Sequence, residues 1–359
     1  MNNISKKQAT LQFLGATQTV TGSRYLLHVN GYRILIDCGL YQGLKELRLR
    51  NWDPFPVEAR TIDAVLLTHA HIDHCGYLPR LVLEGFEGSV FCTPSTRDLC
   101  HLMLPDAGHL QEEDARLANQ HGFSKHSPAL PLFTENDARQ ALPLLKGVPH
   151  HQETELFPGI HFEFLPAGHI LGSSSIQVTL DLEGGSRKIL FSGDIGRYDR
   201  PILVDPESPQ DIDYLLVEST YGHRLHHTTD PREDLAEAIR LCVARGGKTV
   251  IPSFAVGRTQ ELLYLLRELQ EEGKVPGIPI YIDSPMAIEA TSRYISHVEE
   301  HDSEMQEVEK NGNPLVTRNV HIVRQALQSQ ALCKDPRPSI IISASGMAVG
   351  GRILHHLKA

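Results

Sequence analysis

The N-terminal part of the chain is built from short apolar stretches that each end in a polar or glycine residue. Four of them precede residue 70 and read LQFLGA, SRYLLHV, YRILIDCG and IDAVLLTH. Apolar runs of this length, closed by turn-forming residues, predict β-strands. Further strands are predicted between residues 160 and 194, in IHFEFLPAGH, SSIQVTLDL and RKILFSGD. Several of these predicted strands stop at a residue with a reactive side chain.

Between the two groups of strands the pattern becomes helical. From Ser95 to Gln140, apolar residues recur at helical spacing, and the opposite face of the pattern is strongly charged. We therefore expect a layer of helices against the predicted sheet.

Beyond about residue 208, strand-like and helix-like segments alternate. The strands DYLLVEST, KTVIPSFAVG and PIYIDSP are separated by the helical segments PREDLAEAIRLCVARG and RTQELLYLLRELQEEG. Alternation at this spacing predicts βαβ units around a mainly parallel sheet. Residues 302–314 are polar and are expected to form a loop. The sequence thus predicts a first domain over residues 1–208 and a second, Rossmann-like domain over residues 209–359.

The composition is that of a globular protein and limits the classes of function. Of the 359 residues, 41% are hydrophobic, and no apolar run approaches the roughly 20 residues of a membrane span. A net charge of −10 excludes a surface coated with positive potential, so any contact with nucleic acid has to be local. The six cysteines form no Cys-x-x-Cys pair, which indicates reduced thiols. Because the N-terminal sequence shows no signal peptide, we expect a cytoplasmic protein.

The segment THAHIDH concentrates three histidines and an aspartate directly after a predicted buried strand. Imidazole nitrogens and carboxylate oxygens are ligands that zinc prefers in catalytic sites. Two later strand ends add a histidine in LPAGHILG and an aspartate in FSGDIG, which together predict two adjacent metal ions. The expected ligands are His69, His71 and His169 for one ion, Asp73 and His74 for the other, and Asp194 as the bridge. Asp37, at the end of RILID, is expected to fix a ligand histidine or the bound water.

Other histidines do not fit this set. Side chains of adjacent residues point apart and rarely share one ion. The neighbouring pairs are therefore excluded from the predicted metal centre: His150 and His151, His226 and His227, His355 and His356.

The order of Asp37, THAHIDH, His169 and Asp194 resembles the motif set of the metallo-β-lactamase fold. This resemblance implies an α/β fold in which two sheets pack as an αββα sandwich with the metals between them. It also implies a dinuclear zinc centre that activates water for hydrolysis. Because the fold hosts lactamases, thioesterases, glyoxalases and nucleases, the resemblance defines the reaction type better than the substrate.

The second half of the chain resembles the Rossmann-like β-CASP insertion of RNA- and DNA-processing nucleases. The segments concerned are YLLVEST with Glu218, TVIPSFAVGRTQELLYLL, YIDSPMA and SASGMAVGGR. GATQTVTGSRYLL and YQGLKELRLRNW near the N-terminus also resemble bacterial and archaeal relatives of the endonuclease that cleaves pre-mRNA 3′ ends. The resemblance implies that Glu218 is an orienting or proton-relaying carboxylate. With Asp37, Asp73 and Asp194 it completes the expected catalytic acids.

Two places in the second half are candidates for phosphate binding. Ser343, Ser345 and Gly346 precede a predicted helix, where backbone N–H groups and hydroxyls can bind a phosphate. Arg258 also lies directly before a helix. An ordinary strand–turn–helix and a solvated or salt-bridged arginine are equally compatible with these residues.

The leading hypothesis is a zinc-dependent ribonuclease that uses metal-activated water to hydrolyse single-stranded RNA in a cleft between the two domains. The alternatives are a hydrolase of DNA or another ester, and a non-catalytic RNA-binding relative, against which the intact ligand set argues. In β-CASP nucleases the chain returns to the first domain and brings further motifs, usually histidines. Since the sequence stops at Ala359 without them, we expect weak binding of the second ion. No membrane partner is expected, and a homodimer is left open.

Overall fold

The computed structural model describes residues 9–225 and 230–359, and these residues form two compact units. Unit 1 runs to Tyr198 and includes Asp205–Thr220, whereas unit 2 comprises Asp199–Val204 and Tyr221–Ala359. His226 and His227, which the sequence excluded from the metal centre, lie outside the described residues.

The first sheet of unit 1 has six strands in sequential order. They are β1 (Thr10–Phe13), β2 (Tyr25–Val29), β3 (Tyr32–Ile36), β4 (Ala64–Leu66), β5 (Ser89–Cys92) and β6 (Leu145–Gly147). The first three strands are antiparallel, and β3 to β6 are parallel. Asn30 and Gly31 join β2 to β3 with φ values of 53° and 89°, the left-handed conformation that a two-residue hairpin turn requires. Parallel pairing places the ends of β3 and β4 at the same sheet edge.

The second sheet of unit 1 has five strands in the order β11-β10-β9-β8-β7. They are β7 (Thr154–Phe157), β8 (Ile160–Pro166), β9 (Ser174–Leu182), β10 (Gly185–Phe191) and β11 (Tyr214–Leu216). Leu27, Ile34 and Leu66 of the first sheet share one buried cluster with Phe162 and Ile176 of the second. The hydrophobic faces of the two sheets therefore pack against each other as a sandwich.

Helices flank the first sheet. They are α1 (Lys45–Leu49), α2 (Ile72–Cys75), α3 (Leu78–Leu83), α4 (Pro94–His121) and α5 (Glu135–Ala141). Thr93 caps the long helix α4 by accepting the Thr96 N–H at 3.2 Å, and Gly122 ends it with a φ of 65°. The helical layer expected from Ser95 onward is confirmed by α4 and α5.

Unit 2 contains a four-stranded parallel sheet in the order β12-β15-β13-β14. Its strands are β12 (Thr249–Pro252), β13 (Ile280–Ile282), β14 (Val320–Ile322) and β15 (Ile340–Ser343). Its helices are α6 (Pro231–Ala244), α7 (Arg258–Glu271), α8 (Pro285–Ser296), α9 (Ser303–Glu309), α10 (Ala326–Lys334) and α11 (Ile353–Lys358). The expected alternation of strands and helices around a parallel sheet is confirmed.

Two predicted features differ from the structure. Residues 303–309 were expected to lie in a loop but form α9, because Asp302 accepts the Met305 N–H at 2.6 Å as an N-cap and Met305 is fully buried. The strand β11 lies beyond the expected boundary at residue 208 but belongs to unit 1, because it pairs in parallel with β10. A nonlocal pairing thus extends unit 1 to Thr220.

Across residues 9–225 and 230–359, no helix combines the length and the apolar character needed to cross a lipid bilayer.

Candidate metal centre

Strand ends from both sheets of unit 1 supply the candidate ligands. His69 follows β4, and His71 is the N-cap of α2 on the same connection. His169 follows β8, and Asp194 follows β10 in the second sheet. The sandwich brings these chain segments together although His71 and His169 are 98 residues apart in the sequence.

The side chains of His69, His71, His169 and Asp194 converge so closely that their four candidate ligand atoms lie within 4.8 Å of one another. His71 Nδ1 is 3.2 Å from His69 Nε2 and 3.1 Å from His169 Nε2. Asp194 Oδ2 is 3.5 Å from His169 Nε2 and 3.8 Å from His69 Nε2. Three imidazole nitrogens and a carboxylate oxygen are a donor set that suits zinc or a similar divalent ion. The residues present therefore fit the metal that the sequence predicts.

The electrostatics favour the protonation states that bind metal. Burial, reinforced by the neighbouring histidines, holds the pKa of His69 well below its usual value. Burial likewise lowers the pKa of His169. Burial alone would raise the pKa of Asp194, but the hydrogen bond and positive charge of His74 outweigh it and lower that pKa below the ordinary range. The two imidazoles are thus neutral and Asp194 is ionised at neutral pH.

His74 lies beside this group, and its two ring nitrogens contact Asp37 and Asp194. Its Nδ1 is 2.7 Å from Asp37 Oδ2, and its Nε2 is 3.2 Å from Asp194 Oδ1. Burial alone would lower the pKa of His74, but the carboxylates of Asp37 and Asp194 raise it well above the usual value. Because the Asp37 carboxylate accepts a hydrogen bond from His74 Nδ1, it fixes the tautomer and the ring orientation that present Nε2 to the centre.

Asp73 lies outside the four-residue group. It is the second residue of α2, and its backbone carbonyl accepts the Ser23 N–H at 2.9 Å. Burial, together with the charges of Asp194 and Asp37, raises the pKa of Asp73 against the opposing effect of His74. The carboxyl is thus electrostatically close to the centre, and its assignment to a second ion stays a prediction.

Thr68, two residues after the end of β4, contacts the centre and was missed in the sequence analysis. Its N–H donates to Asp37 Oδ1 at 2.8 Å, and its hydroxyl lies 3.0 Å from both Asp37 oxygens and 2.9 Å from His69 Nδ1. Thr68 therefore connects the carboxylate behind His74 to the ring of His69. Its position inside the motif THAHIDH, directly before the first ligand, was the only available signal.

Two glycines that the sequence analysis did not single out allow the ligand segments to approach each other. A Cβ at Gly39 would lie 1.6 Å from the Asp73 carbonyl oxygen, and a Cβ at Gly196 would lie 1.8 Å from the Gly168 carbonyl oxygen. Gly39 thereby lets the turn after β3 pass against α2, and Gly196 lets the turn after Asp194 pass against the turn that carries His169. Any side chain at either place would separate two ligand-bearing segments.

Glu218 lies just beyond β11, in unit 1. Its N–H donates to Ser192 Oγ at 3.0 Å, and its carboxylate accepts the Thr220 N–H at 2.8 Å. The charge of Glu218 acts on the pKa of His169, which places the carboxylate within electrostatic range of that ligand.

The predicted phosphate-binding residues lie in unit 2. Ser343 is buried, and its hydroxyl donates to the Asp283 carbonyl at 2.9 Å. Ser345 and Gly346 are half-buried, and α11 begins only at Ile353 rather than directly after them. Arg258 is the first residue of α7 and forms an ion pair with Glu261 at 2.7 Å. The free N–H groups at the start of α11 therefore do not directly follow Gly346, contrary to the prediction from the sequence.

Comparisons with known proteins agree with this architecture. Residues 20–253 match the metallo-beta-lactamase superfamily, and residues 259–359 match the Beta-Casp domain. A crystallised protein of unknown function from Enterococcus faecalis has a similar fold, with a TM-score of 0.50 and 14% identity over 94% of this chain and 77% of its own. The chain belongs to the metallo-β-lactamase superfamily, in its β-CASP branch of metal-dependent nucleases.

Several curated proteins of similar sequence have names that state a more specific function. A ribonuclease of Thermus thermophilus is 37% identical over 96% of this chain and 74% of its own length. Transcription termination factor FttA of Methanosarcina mazei is 33% identical over 96% of this chain. Cleavage and polyadenylation specificity factor 73 of Drosophila melanogaster is 30% identical over 94% of this chain. The chain spans 53% of the length of the second and 47% of the third.

Proposed function

We propose that the protein is a zinc-dependent ribonuclease that hydrolyses phosphodiester bonds of single-stranded RNA. The observation that carries the proposal is the convergence of His69, His71, His169 and Asp194 within 4.8 Å. The similar protein of Thermus thermophilus is named as a ribonuclease, which supports RNA as the substrate.

The ligand set defines what the chain itself contributes to hydrolysis. When bound there, zinc supplies Lewis-acid activation of water and of the attacked phosphate. The neutral rings of His69 and His169 donate their nitrogen lone pairs, and ionised Asp194 adds negative charge. Asp37 and Thr68 hold the neighbouring rings in orientation, so little reorganisation is needed during the reaction.

The acids of the site have separate proposed roles. Asp194 would be shared by two bound ions, and Asp73 with His74 would hold the second of them. Asp37 positions His74 through the 2.7 Å contact. Glu218, whose charge reaches His169, holds or relays a proton near the leaving group.

Contacts to the RNA backbone are proposed for unit 2. Ser345 and the backbone of Gly346 are the preferred candidates, because the Ser343 hydroxyl already donates to Asp283. Arg258 would reach a phosphate after giving up its exposed ion pair with Glu261, which costs little because such pairs contribute only about 0 to 1 kcal/mol. Replacing Arg258 by Gln should therefore raise KM for RNA more than it lowers kcat.

The proposal is tested by removing and restoring metal. Protein is dialysed against a chelator, and cleavage of a labelled single-stranded RNA is measured before and after adding zinc, manganese or magnesium. We expect cleavage to disappear on chelation and to return best with zinc. Asp194→Asn should remain inactive with any metal, whereas the exposed Asp181→Asn serves as the matched control and should remain active.

The same assay separates the alternatives. A duplex RNA and a single-stranded DNA of the same sequence are cleaved in parallel with the single-stranded RNA. Equal or faster cleavage of DNA would favour a DNA hydrolase. Retained RNA binding without cleavage by the zinc-loaded protein would instead support a non-catalytic RNA-binding role.

Location and assembly are also proposals. We infer a cytoplasmic protein, because all six cysteines are free thiols, as expected in a reducing compartment. We also propose that the protein forms a homodimer. Light scattering coupled to gel filtration tests this directly. A mass near 40 kDa would contradict it.

A further inference from the structure

Six cysteines divide into four that are fully buried and two that are partly exposed. Cys38, Cys75, Cys92 and Cys100 have no measurable exposure. Cys242 and Cys333 are the partly exposed thiols, and both belong to unit 2. These two residues are therefore the cysteines most open to reagents in the folded protein.

The two exposed thiols have different partners. Cys242 Sγ donates to the Lys248 carbonyl at 3.0 Å, and an amide carbonyl is too weak a base to remove a thiol proton. Cys333 Sγ instead lies 3.3 Å from His356 Nδ1. An imidazole nitrogen is a base of suitable strength at neutral pH.

A buried aspartate sets the tautomer of His356. Asp283 Oδ2 lies 2.6 Å from His356 Nε2, and both side chains are almost completely buried. Burial alone would raise the pKa of Asp283, but hydrogen bonds from His356, Ser329 and Arg352 lower it, so the group is a carboxylate. Since the carboxylate can only accept, Nε2 carries a proton, and in the neutral ring Nδ1 presents its lone pair to the sulfur.

We propose that Cys333 is a site of covalent modification, in which His356 acts as the base and Asp283 orients the base while the sulfur attacks a peroxide. Nucleophile, base and orienting carboxylate follow one another at hydrogen-bonding distances. Nothing in the hydrolytic centre of unit 1 uses these groups.

The proposed step balances without another reactant. The thiol proton passes to His356 Nδ1 as sulfur bonds to one peroxide oxygen and the O–O bond breaks. The leaving hydroxide then takes the proton from His356 and departs as water. Sulfur is oxidised to sulfenic acid, and the peroxide is reduced.

A local base matters because the thiol retains its proton. Burial raises the pKa of Cys333 above its ordinary value, against the lowering effect of the Lys248 charge. A preformed thiolate is therefore scarce, and removal of the proton during the attack accelerates the reaction. The new oxygen would also occupy the space between α10 and α11, where Cys333 and His356 meet.

The test compares cysteines within one molecule. Folded wild-type protein is treated with iodoacetamide, and each cysteine is followed over time by peptide mass spectrometry. We expect Cys333 to be alkylated at least about a hundredfold faster than Cys242, the lower end of the range for general-base assistance. With hydrogen peroxide and dimedone as the trap, the sulfenic acid adduct should form at Cys333.

His356→Gln isolates the base. The substitution should reduce alkylation of Cys333 to the rate of Cys242 and abolish the preference for trapping. Because the four buried cysteines belong to unit 1, the folding of unit 2 in the variant is followed by hydrogen exchange of its strands β12 to β15. If these strands lose their protection in the variant, the wild-type ratio alone decides. Equal wild-type rates for Cys333 and Cys242, or an unchanged rate in a folded His356→Gln protein, would overturn the proposal.

Discussion

Asp37 and Asp283 each follow a β-strand, one in each unit, and each holds a histidine ring from one side. Asp37 Oδ2 lies 2.7 Å from His74 Nδ1, and Asp283 Oδ2 lies 2.6 Å from His356 Nε2. The other hydrogen-bond donors to the two carboxylates differ. Asp37 otherwise receives hydrogen bonds from neutral Thr68, whereas Asp283 also receives the Arg352 guanidinium at 2.7 Å.

The free ring nitrogen distinguishes the two contacts. His74 Nε2 points to Asp194 beside three further candidate ligand atoms, so the ring can serve a cation. His356 Nδ1 meets the thiol of Cys333, and Arg352 neutralises the carboxylate behind it. A buried Asp–His contact therefore does not by itself indicate a metal site. The groups around the second nitrogen determine its chemistry.

The largest expected effect is on metal content. His71→Ala removes the imidazole whose Nδ1 lies between His69 and His169, so metal affinity should fall at least about a hundredfold, beyond the effect of losing an outer partner. Elemental analysis of protein purified without added metal measures this. His101→Ala, an exposed position on α4, is the matched control and should retain wild-type metal. Equal metal in both variants would show that His71 is not a ligand.

Asp283→Asn should destabilise unit 2 locally and leave metal binding intact. The substitution removes the carboxylate that accepts hydrogen bonds from half-buried Arg352 and from buried His356, and loss of such partners costs about 1 to 3 kcal/mol. Hydrogen exchange of the peptides that contain α10 and α11 measures the local opening. Reduced metal content together with unchanged hydrogen exchange would contradict this prediction. It would show that Asp283 supports the metal centre and not the local stability of unit 2.

Asp37→Asn tests the other half of the comparison. Both Asp37 oxygens accept hydrogen bonds, one from the Thr68 N–H and one from His74. Asparagine has a single acceptor oxygen, so one donor loses its partner and the His74 ring is no longer fixed. Metal affinity should fall by roughly 10- to 100-fold with a smaller change in stability than Asp283→Asn causes. A titration with zinc and a competing chelator gives the affinity, and a wild-type value would refute the positioning role.

A third histidine has a serine partner instead of a carboxylate. His150 Nε2 lies 3.0 Å from Ser174 Oγ, and burial with the nearby His151 lowers the pKa of His150 to about 4. The unfolded chain, with a pKa near 6.5, takes up the proton first, so stability is lost as pH falls from about 6.5 to 4. Since the ring is partly exposed, the loss should be about 1 to 2 kcal/mol. In His150→Gln, the midpoint of thermal unfolding should depend less on pH over that range. The same pH dependence in the variant and the wild type would contradict the assignment.

The candidate ligands could be read from the sequence because most of them are concentrated in one short segment. His69, His71, Asp73 and His74 occupy one short motif after an apolar strand, and strand ends flag His169 and Asp194. Donor type and spacing carry that information without any knowledge of the packing. The division into a sandwich and a parallel sheet followed from the family resemblance and from the alternation of strands and helices.

Contacts between distant segments could not be read in the same way. Gly39 lies against Asp73 and Gly196 against Gly168, and only the folded chain reveals these approaches. The pairing of β11 with β10 is equally nonlocal, which explains the difference at the domain boundary. The polar segment that forms α9 shows a different limit, because its one buried methionine and its aspartate N-cap were not distinguished from a polar loop in the sequence.

The close contacts of Gly39 and Gly196 also predict which amino-acid substitutions the protein tolerates. In a library of random variants selected for activity, intolerant positions are usually interpreted as ligands or catalytic groups. These two glycines should be as intolerant as the histidines although neither has a side chain, because a single methyl group would collide with backbone at 1.6 Å and 1.8 Å. In such a map, catalytic importance and steric necessity would be indistinguishable, and only metal content would tell a lost ligand from a displaced one.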